Sequence, residues 1–171
     1  MKSENFTDED DGLDDEPGAG DAIELLTADH EDVKLLFTDY EELVADGASV
    51  GERAQLAGQI CNALIAHTTA EEEIFYPAAR QAIDQPELLD EAEAEHGIAK
   101  ELIAKIQRMD ESDQQYDATV LLLQETIEHH VHEEEGELFP RVQDAGLDLD
   151  ALGEQIAQRK DEVLAELDEA E

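Results

Sequence analysis

Apolar residues recur along most of this chain at alternating steps of four and three, the spacing of one face of an α-helix. The first stripe is Leu26, His30, Val33, Phe37, Tyr40 and Val44, opened by Asp21 as a helix cap and closed by the turn Asp46-Gly-Ala-Ser49. A second runs from about Val50 to Ile83 through Leu56, Ile60, Ala63, His67, Glu71 and Ile74. Pro77 lies inside it. Having no N–H for the Glu73 carbonyl, it should kink the helix or end its regular part. A third stripe, from near Pro86 to near Met109, carries Leu89, Ala92, His96, Ala99, Ile103 and Ile106. The fourth starts near Asp113 and aligns Val120, Leu123, Ile127, His130, Glu134 and Leu138, with Pro140 placed as Pro77 is and Gly146 closing it. A fifth, about Asp148 to Asp168, aligns Leu149, Leu152, Ile156, Val163 and Leu167.

Four long helices with short links predict an all-α fold: an antiparallel up-down-up-down four-helix bundle over residues 21–145, with an additional C-terminal helix (146–171) packing on one end or flank. Residues 1–20 are expected to form a disordered acidic tail. Asp8 to Glu16 holds seven acidic residues in nine, and Pro17-Gly-Ala-Gly20 breaks the chain.

Each of the four bundle helices carries one histidine on its core stripe, and two of these are followed four residues later by a glutamate on the same stripe. A free carboxylate buried there costs several kcal/mol, a cost that a bound cation removes. His67-Thr-Thr-Ala-Glu71 and His130-Val-His-Glu-Glu134 each place nitrogen and oxygen donors on one helix face, a ligand set for a borderline transition metal. The two copies lie 63 residues apart (67 to 130), and Ala28-Asp29-His30 and Ala94-Glu95-His96 lie 66 apart (30 to 96), so the chain reads as a duplicated helical hairpin. The candidate metal ligands are therefore His30, His67, Glu71, His96, His130 and Glu134. Six such groups could saturate one octahedral ion. Spread over four helices, with two carboxylates able to bridge, they suit a pair of ions better.

His129 and His132 fall off the fourth stripe and are expected at the surface. Glu72, Glu73, Glu133 and Glu135 read as solvated groups or as supports for the ligands, and Tyr40 as core. Cys61 is the only cysteine, which excludes an intrachain disulfide and suits a small buried hydrophobe.

The charge changes the picture of the surface. Ten Lys and Arg face 48 Asp and Glu, a net charge of −38 spread along the whole chain. Such a surface repels nucleic acid and anionic membranes, so neither is expected as a partner. At molar salt the screening length falls to ~3 Å and self-repulsion largely vanishes, which points to a salt-rich, halophilic cytoplasm. No run approaches the ~20 apolar residues of a membrane span, and no signal peptide is visible, so a soluble cytoplasmic protein is expected.

Taken in order, His30, His67-x-x-x-Glu71 with Phe-Tyr-Pro77, His96, and His130-x-x-x-Glu134 with Leu-Phe-Pro140 resemble the hemerythrin-like, HHE cation-binding domain family. The likeness covers about residues 21–145. It implies a four-helix bundle holding a non-haem diiron centre, with the six residues above as ligands, Glu71 and Glu134 bridging, and an oxo or hydroxo group completing the bridge. Mn or Zn would also suit these donors. One departure stands out: Lys100 occupies the position where oxygen-carrying members have a fifth histidine. The resemblance thus implies a metal-binding protein rather than an enzyme, sensing or handling dioxygen, iron or redox state, with dioxygen or another small diatomic or peroxide as ligand. The alternatives are a diiron enzyme acting on peroxide or nitric oxide, and a metal-free structural bundle. The sequence indicates no particular protein partner.

Overall fold

The computed structural model describes residues 20–170, so the expected acidic tail lies, but for Gly20, outside the described residues. Helix α1 (Ala22–Ala45) starts where Asp21 and Glu24 cap each other reciprocally, each side chain accepting the other's backbone N–H at 2.9 and 3.2 Å. Ser49 and Glu52 open α2 (Val50–Ala70) in the same way. Between these helices Gly47 takes φ +68°, a left-handed conformation that costs glycine little.

At the end of α2 the chain widens into a π-helical turn, Glu71–Phe75, before α3 (Tyr76–Ala82). The Tyr76 N–H reaches back five residues to the Glu71 carbonyl. Helix α4 (Pro86–Arg108) follows, then α5 (Tyr116–Glu133), a second π-helical turn at Glu134–Leu138, and α6 (Phe139–Asp144). The Phe139 N–H bonds the Glu134 carbonyl, repeating the first turn. Regular α-geometry thus stops at Ala70 and Glu133, ahead of Pro77 and Pro140. Each proline then enters at the first turn of a fresh helix, where its missing N–H costs little. Helix α7 (Leu149–Glu169) is capped by Asp148, which accepts the Ala151 N–H at 3.1 Å.

The fold is an all-helical bundle. Helix α1 packs beside α2 and α5, and α4 beside α5 and α2, while α7 lies along the flank formed by α1 and α2. Two apolar clusters fill the interior. One gathers Phe37, Tyr40, Ile60, Ile103, Val120 and Leu123; the other gathers Leu26, Phe75, Tyr76, Leu89, Phe139 and Ile156. Along each bundle helix the candidate histidine falls between members of these two clusters.

Some stripe positions differ from expectation. Val44 is 40% exposed, because α1 outruns the core near its C-terminal turn. In α2 the buried face carries Ala57, Ile60, Cys61 and Leu64, leaving Leu56 and Ala63 only partly covered, because α7 and α4 approach this helix from two sides. No helix among the described residues is long and apolar enough to cross a membrane.

Candidate metal centre

The six side chains singled out by sequence converge in the band between the apolar clusters. His30, His67, Glu71, His96, His130 and Glu134 are all buried, and Glu71 is 0% exposed. Among the described residues, Glu71 and Glu134 are the only carboxylates in the core. Two groups of four donors form, each with its ligand atoms within 4.8 Å of one another: His30, His67, Glu71 and Glu134, and Glu71, His96, His130 and Glu134. Both glutamates belong to both groups.

Distances describe a tight, polar nucleus. His30 Nε2 lies 3.2 Å from Glu134 Oε1, and His130 Nε2 lies 3.2 Å from Glu134 Oε2. His96 Nε2 is 3.8 Å from Glu71 Oε1 and 3.2 Å from His130 Nε2, while His67 Nε2 presses directly on Glu71 Oε1. Five of the atoms facing the centre have no hydrogen-bond partner: His30 Nε2, His67 Nε2, both Glu71 oxygens and Glu134 Oε1. Buried polar atoms are ordinarily satisfied, so this concentration of orphans in one place fits a cation-binding group.

The opposite ring nitrogen of every histidine faces a carboxylate. Asp29 holds His67 Nδ1 at 2.8 Å, Glu95 holds His130 Nδ1 at 3.0 Å, and Glu72 holds His96 Nδ1 at 3.3 Å. Glu135 stands 3.5 Å from His30 Nδ1 but makes no hydrogen bond to it. A carboxylate at Nδ1 favours the tautomer with hydrogen there, which leaves the inward Nε2 lone pair free for a metal. The pattern follows the chain's duplication. The residue preceding each lone histidine supports the paired histidine of its own hairpin, and the residue following each buried glutamate faces the lone histidine of the other hairpin. Asp29 and Glu95 could have been found from the Ala-Asp-His and Ala-Glu-His repeats.

Tyr76 is the site residue that sequence reasoning missed. Its hydroxyl donates to Glu134 Oε2 at 2.6 Å and lies 3.1 Å from His96 Nε2. The only sequence signal was its place nine residues after His67, where the second hairpin has Phe139. Phe139 instead stacks on His30, with ring centroids 5.9 Å apart. His129 and His132 stay outside the centre; His129 is largely exposed and touches Glu95 and Glu133. Lys100 is outside as well, paired with Glu72.

Electrostatics follow from this crowding. Burial disfavours the charged form of His67, yet the adjoining Glu71 and Asp29 outweigh it and push its pKa up to about 10. For His130 the same opposition, with Glu134 and Glu95 as partners, ends at about 11. His96 goes the other way, to about 3, because burial and the neighbouring His130 cation both oppose its protonation. Burial and the facing Glu134 carboxylate raise Glu71. Burial also works against the Glu134 anion, but the facing His130 and His30 hold its carboxyl well below the usual range. Burial, then the charges of Glu71 and Glu134, raise the Tyr76 hydroxyl well above its ordinary value.

The chain is similar in sequence and fold to known proteins. The family model of the hemerythrin HHE cation binding domain matches residues 21–142. A crystal structure of a hemerythrin HHE cation binding domain-containing protein from Mycobacterium kansasii superposes with a TM-score of 0.72 at 26% identity, covering 86% of this chain and 89% of that one. A protein from Nostoc sp. described as a DNA nickase is 31% identical over 122 residues, 70% of this chain. The matched region spans only 32% of that relative's length. With a buried His and Glu cluster drawn from two repeated hairpins, and a family model matching 122 residues from 21 to 142, this chain belongs to the hemerythrin HHE cation-binding domain family.

Proposed function

We propose that the buried cluster holds two transition-metal ions, iron foremost, and that the protein senses or handles dioxygen, iron or redox state through them. One observation carries this reading: Glu71 and Glu134 each belong to both four-donor groups, so two ions placed side by side would share two carboxylates. His30 and His67 would hold one ion, and His96 and His130 the other. When bound, iron supplies a redox couple able to engage a small ligand such as dioxygen or peroxide. The chain supplies the rest. Asp29, Glu72 and Glu95 orient three of the imidazoles, the apolar clusters on either side exclude water, and the Tyr76 hydroxyl keeps a proton at the Glu134 carboxylate.

Mn or Zn would suit the same donors, so identity rests on metal analysis. Protein purified without chelators should carry about two iron ions per chain. His67→Ala and His130→Ala should each cut that content sharply. Unchanged metal stoichiometry in both variants would overturn the assignment, and a metal-free wild type would favour a purely structural polar core.

A second reading, an enzyme acting on peroxide or nitric oxide, draws support from Tyr76, a protic group beside the proposed ions. Turnover of either substrate by iron-loaded protein, against a metal-free control, separates an enzyme from a binding protein. The nickase relative supports no nucleic-acid reading here, since a net charge of −38 opposes a polyanionic partner.

A further inference from the structure

The six proposed ligands are buried, so ions must enter between helices, and the four carboxylates at the outward nitrogens of the histidines mark four ways in. Three have a lysine at the mouth. Lys160 pairs with Asp29, Lys100 pairs with Glu72, and Lys34 lines the same groove as Glu135 and His30. An ammonium at the mouth repels an approaching cation. These three are conspicuous because the whole chain has only ten Lys and Arg.

The fourth way, past Glu95, differs. A narrow cleft between α4 and α5 is walled by Glu91, Glu95, Glu133 and Glu137, with His130 and Glu134 also lining it. Its volume of about 10 Å³ suits one water-sized body. At its inner end Glu134, 2% exposed, turns Oε2 toward His130 Nε2 at 3.2 Å. Beside the cleft, Glu95, His129 and Glu133 bring three ligand atoms within 4.8 Å of one another. His129 Nε2 is 3.4 Å from Glu95 Oε2 and 3.2 Å from Glu133 Oε1. Glu95 also holds His130 through its other oxygen, so it touches both the outer triad and a proposed ligand of the buried centre.

We propose that Glu95, His129 and Glu133 form an outer divalent-cation site that captures ions and passes them along the acidic cleft to the buried centre. The loading route rests on the two-ion reading above; the outer site does not. His129 is 66% exposed, which suits a weak site that releases its ion inward.

The test uses full-length protein stripped by chelator and kept folded in KCl, with Co(II) as probe. Equilibrium dialysis counts weakly held ions, and the visible absorption of coordinated Co(II) follows loading of the buried centre in time. The double variant His129→Ala, Glu133→Gln should lose one weakly held Co(II) and load about tenfold more slowly. Its final tightly bound Co(II) and its thermal midpoint should match wild type. A control carrying Glu41→Gln and Glu42→Gln removes two charges from α1 outside both sites and should load at the wild-type rate. An unchanged weak-site count overturns the outer site, and a lost weak site with unchanged loading overturns the route. Should the wild-type centre never fill, the two-ion reading and the loading route fail together, while the weak-site count still decides the outer site.

Discussion

An imidazole binds a metal only through a bare nitrogen, so any proton on that nitrogen competes with the ion. In the metal-free protein, His67 and His130 hold their protons to about pH 10 and 11 through contact with Glu71 and Glu134. Their ordinary value is 6.5, so the native state binds more protons than the unfolded chain between these limits. The stability they confer is fully present below pH 6.5 and is lost as pH rises through their native values. Metal affinity moves oppositely, because each proton removed frees a ligand. The thermal midpoint of chelator-treated protein should therefore fall between pH 6.5 and 10, while the midpoint gap between loaded and stripped protein widens. A gap that stays constant over this range would contradict proton competition at these histidines.

Tyr76 permits a sharper substitution. Tyr76→Phe keeps the ring that packs beside Phe75 but removes the donor to Glu134. Stripped protein should lose about 1–3 kcal/mol, since a buried carboxylate is left short of a partner. Phe occupies the equivalent position 139, so the fold should survive, and urea unfolding measures the loss. The six clustered side chains were legible in the sequence because polar residues on an apolar stripe conflict with burial unless they meet one another. Tyr76 was not legible, because an aromatic on a core face looks the same whether or not its hydroxyl finds a partner. Asp29 and Glu95 stood out as an acidic residue repeated before each lone histidine, but which histidine each one faces depends on contacts between helices that spacing along a single helix does not report.

Among the elements, the two π-helical turns do most to shape the centre. Each begins at a buried glutamate, and the extra residue shifts the register of the helix that follows. Tyr76 and Phe139 begin those following helices, and both reach the centre's edge. The two prolines marked the region but not the device, since a proline in a helical pattern signals a break more readily than a widened turn. The fifth helix was legible from its stripe, but its flank was set by a glycine. A Cβ on Gly153 would stand 2.4 Å from the Gly20 carbonyl oxygen and 3.1 Å from the Ala22 nitrogen, so α7 meets the start of α1 backbone to backbone. Gly153→Ala should destabilise by about 1–3 kcal/mol, because backbone must move. Gly58→Ala, in α2 with nothing within 4 Å, should stabilise by about 0.5–1 kcal/mol instead. Urea unfolding of the two variants should show opposite signs, and a neutral Gly153→Ala would remove the close approach as the reason for this docking.

Across the whole molecule, folding gathers the charge of a chain with 48 acidic residues onto one surface, since Glu71 and Glu134 alone among the described carboxylates are buried. Only ten basic residues offset them, and several are committed locally: Lys160 to Asp29, Lys100 to Glu72, Arg159 to Glu73, and Arg53 to Asp117. What remains is repulsion that is stronger in the compact state than in the expanded chain. Salt weakens it steeply, because the screening length shrinks from ~10 Å at 0.1 M to ~3 Å at 1 M, from several side-chain spacings to less than one. The thermal midpoint of the protein should therefore climb strongly from about 0.1 M to about 3 M KCl. Sucrose at equal osmolality strengthens burial without screening charge, so it should reproduce only a small part of the rise. A midpoint that barely moves in KCl, or that rises equally in sucrose, would show that the acidic surface is not what limits stability and would remove the argument for adaptation to high salt.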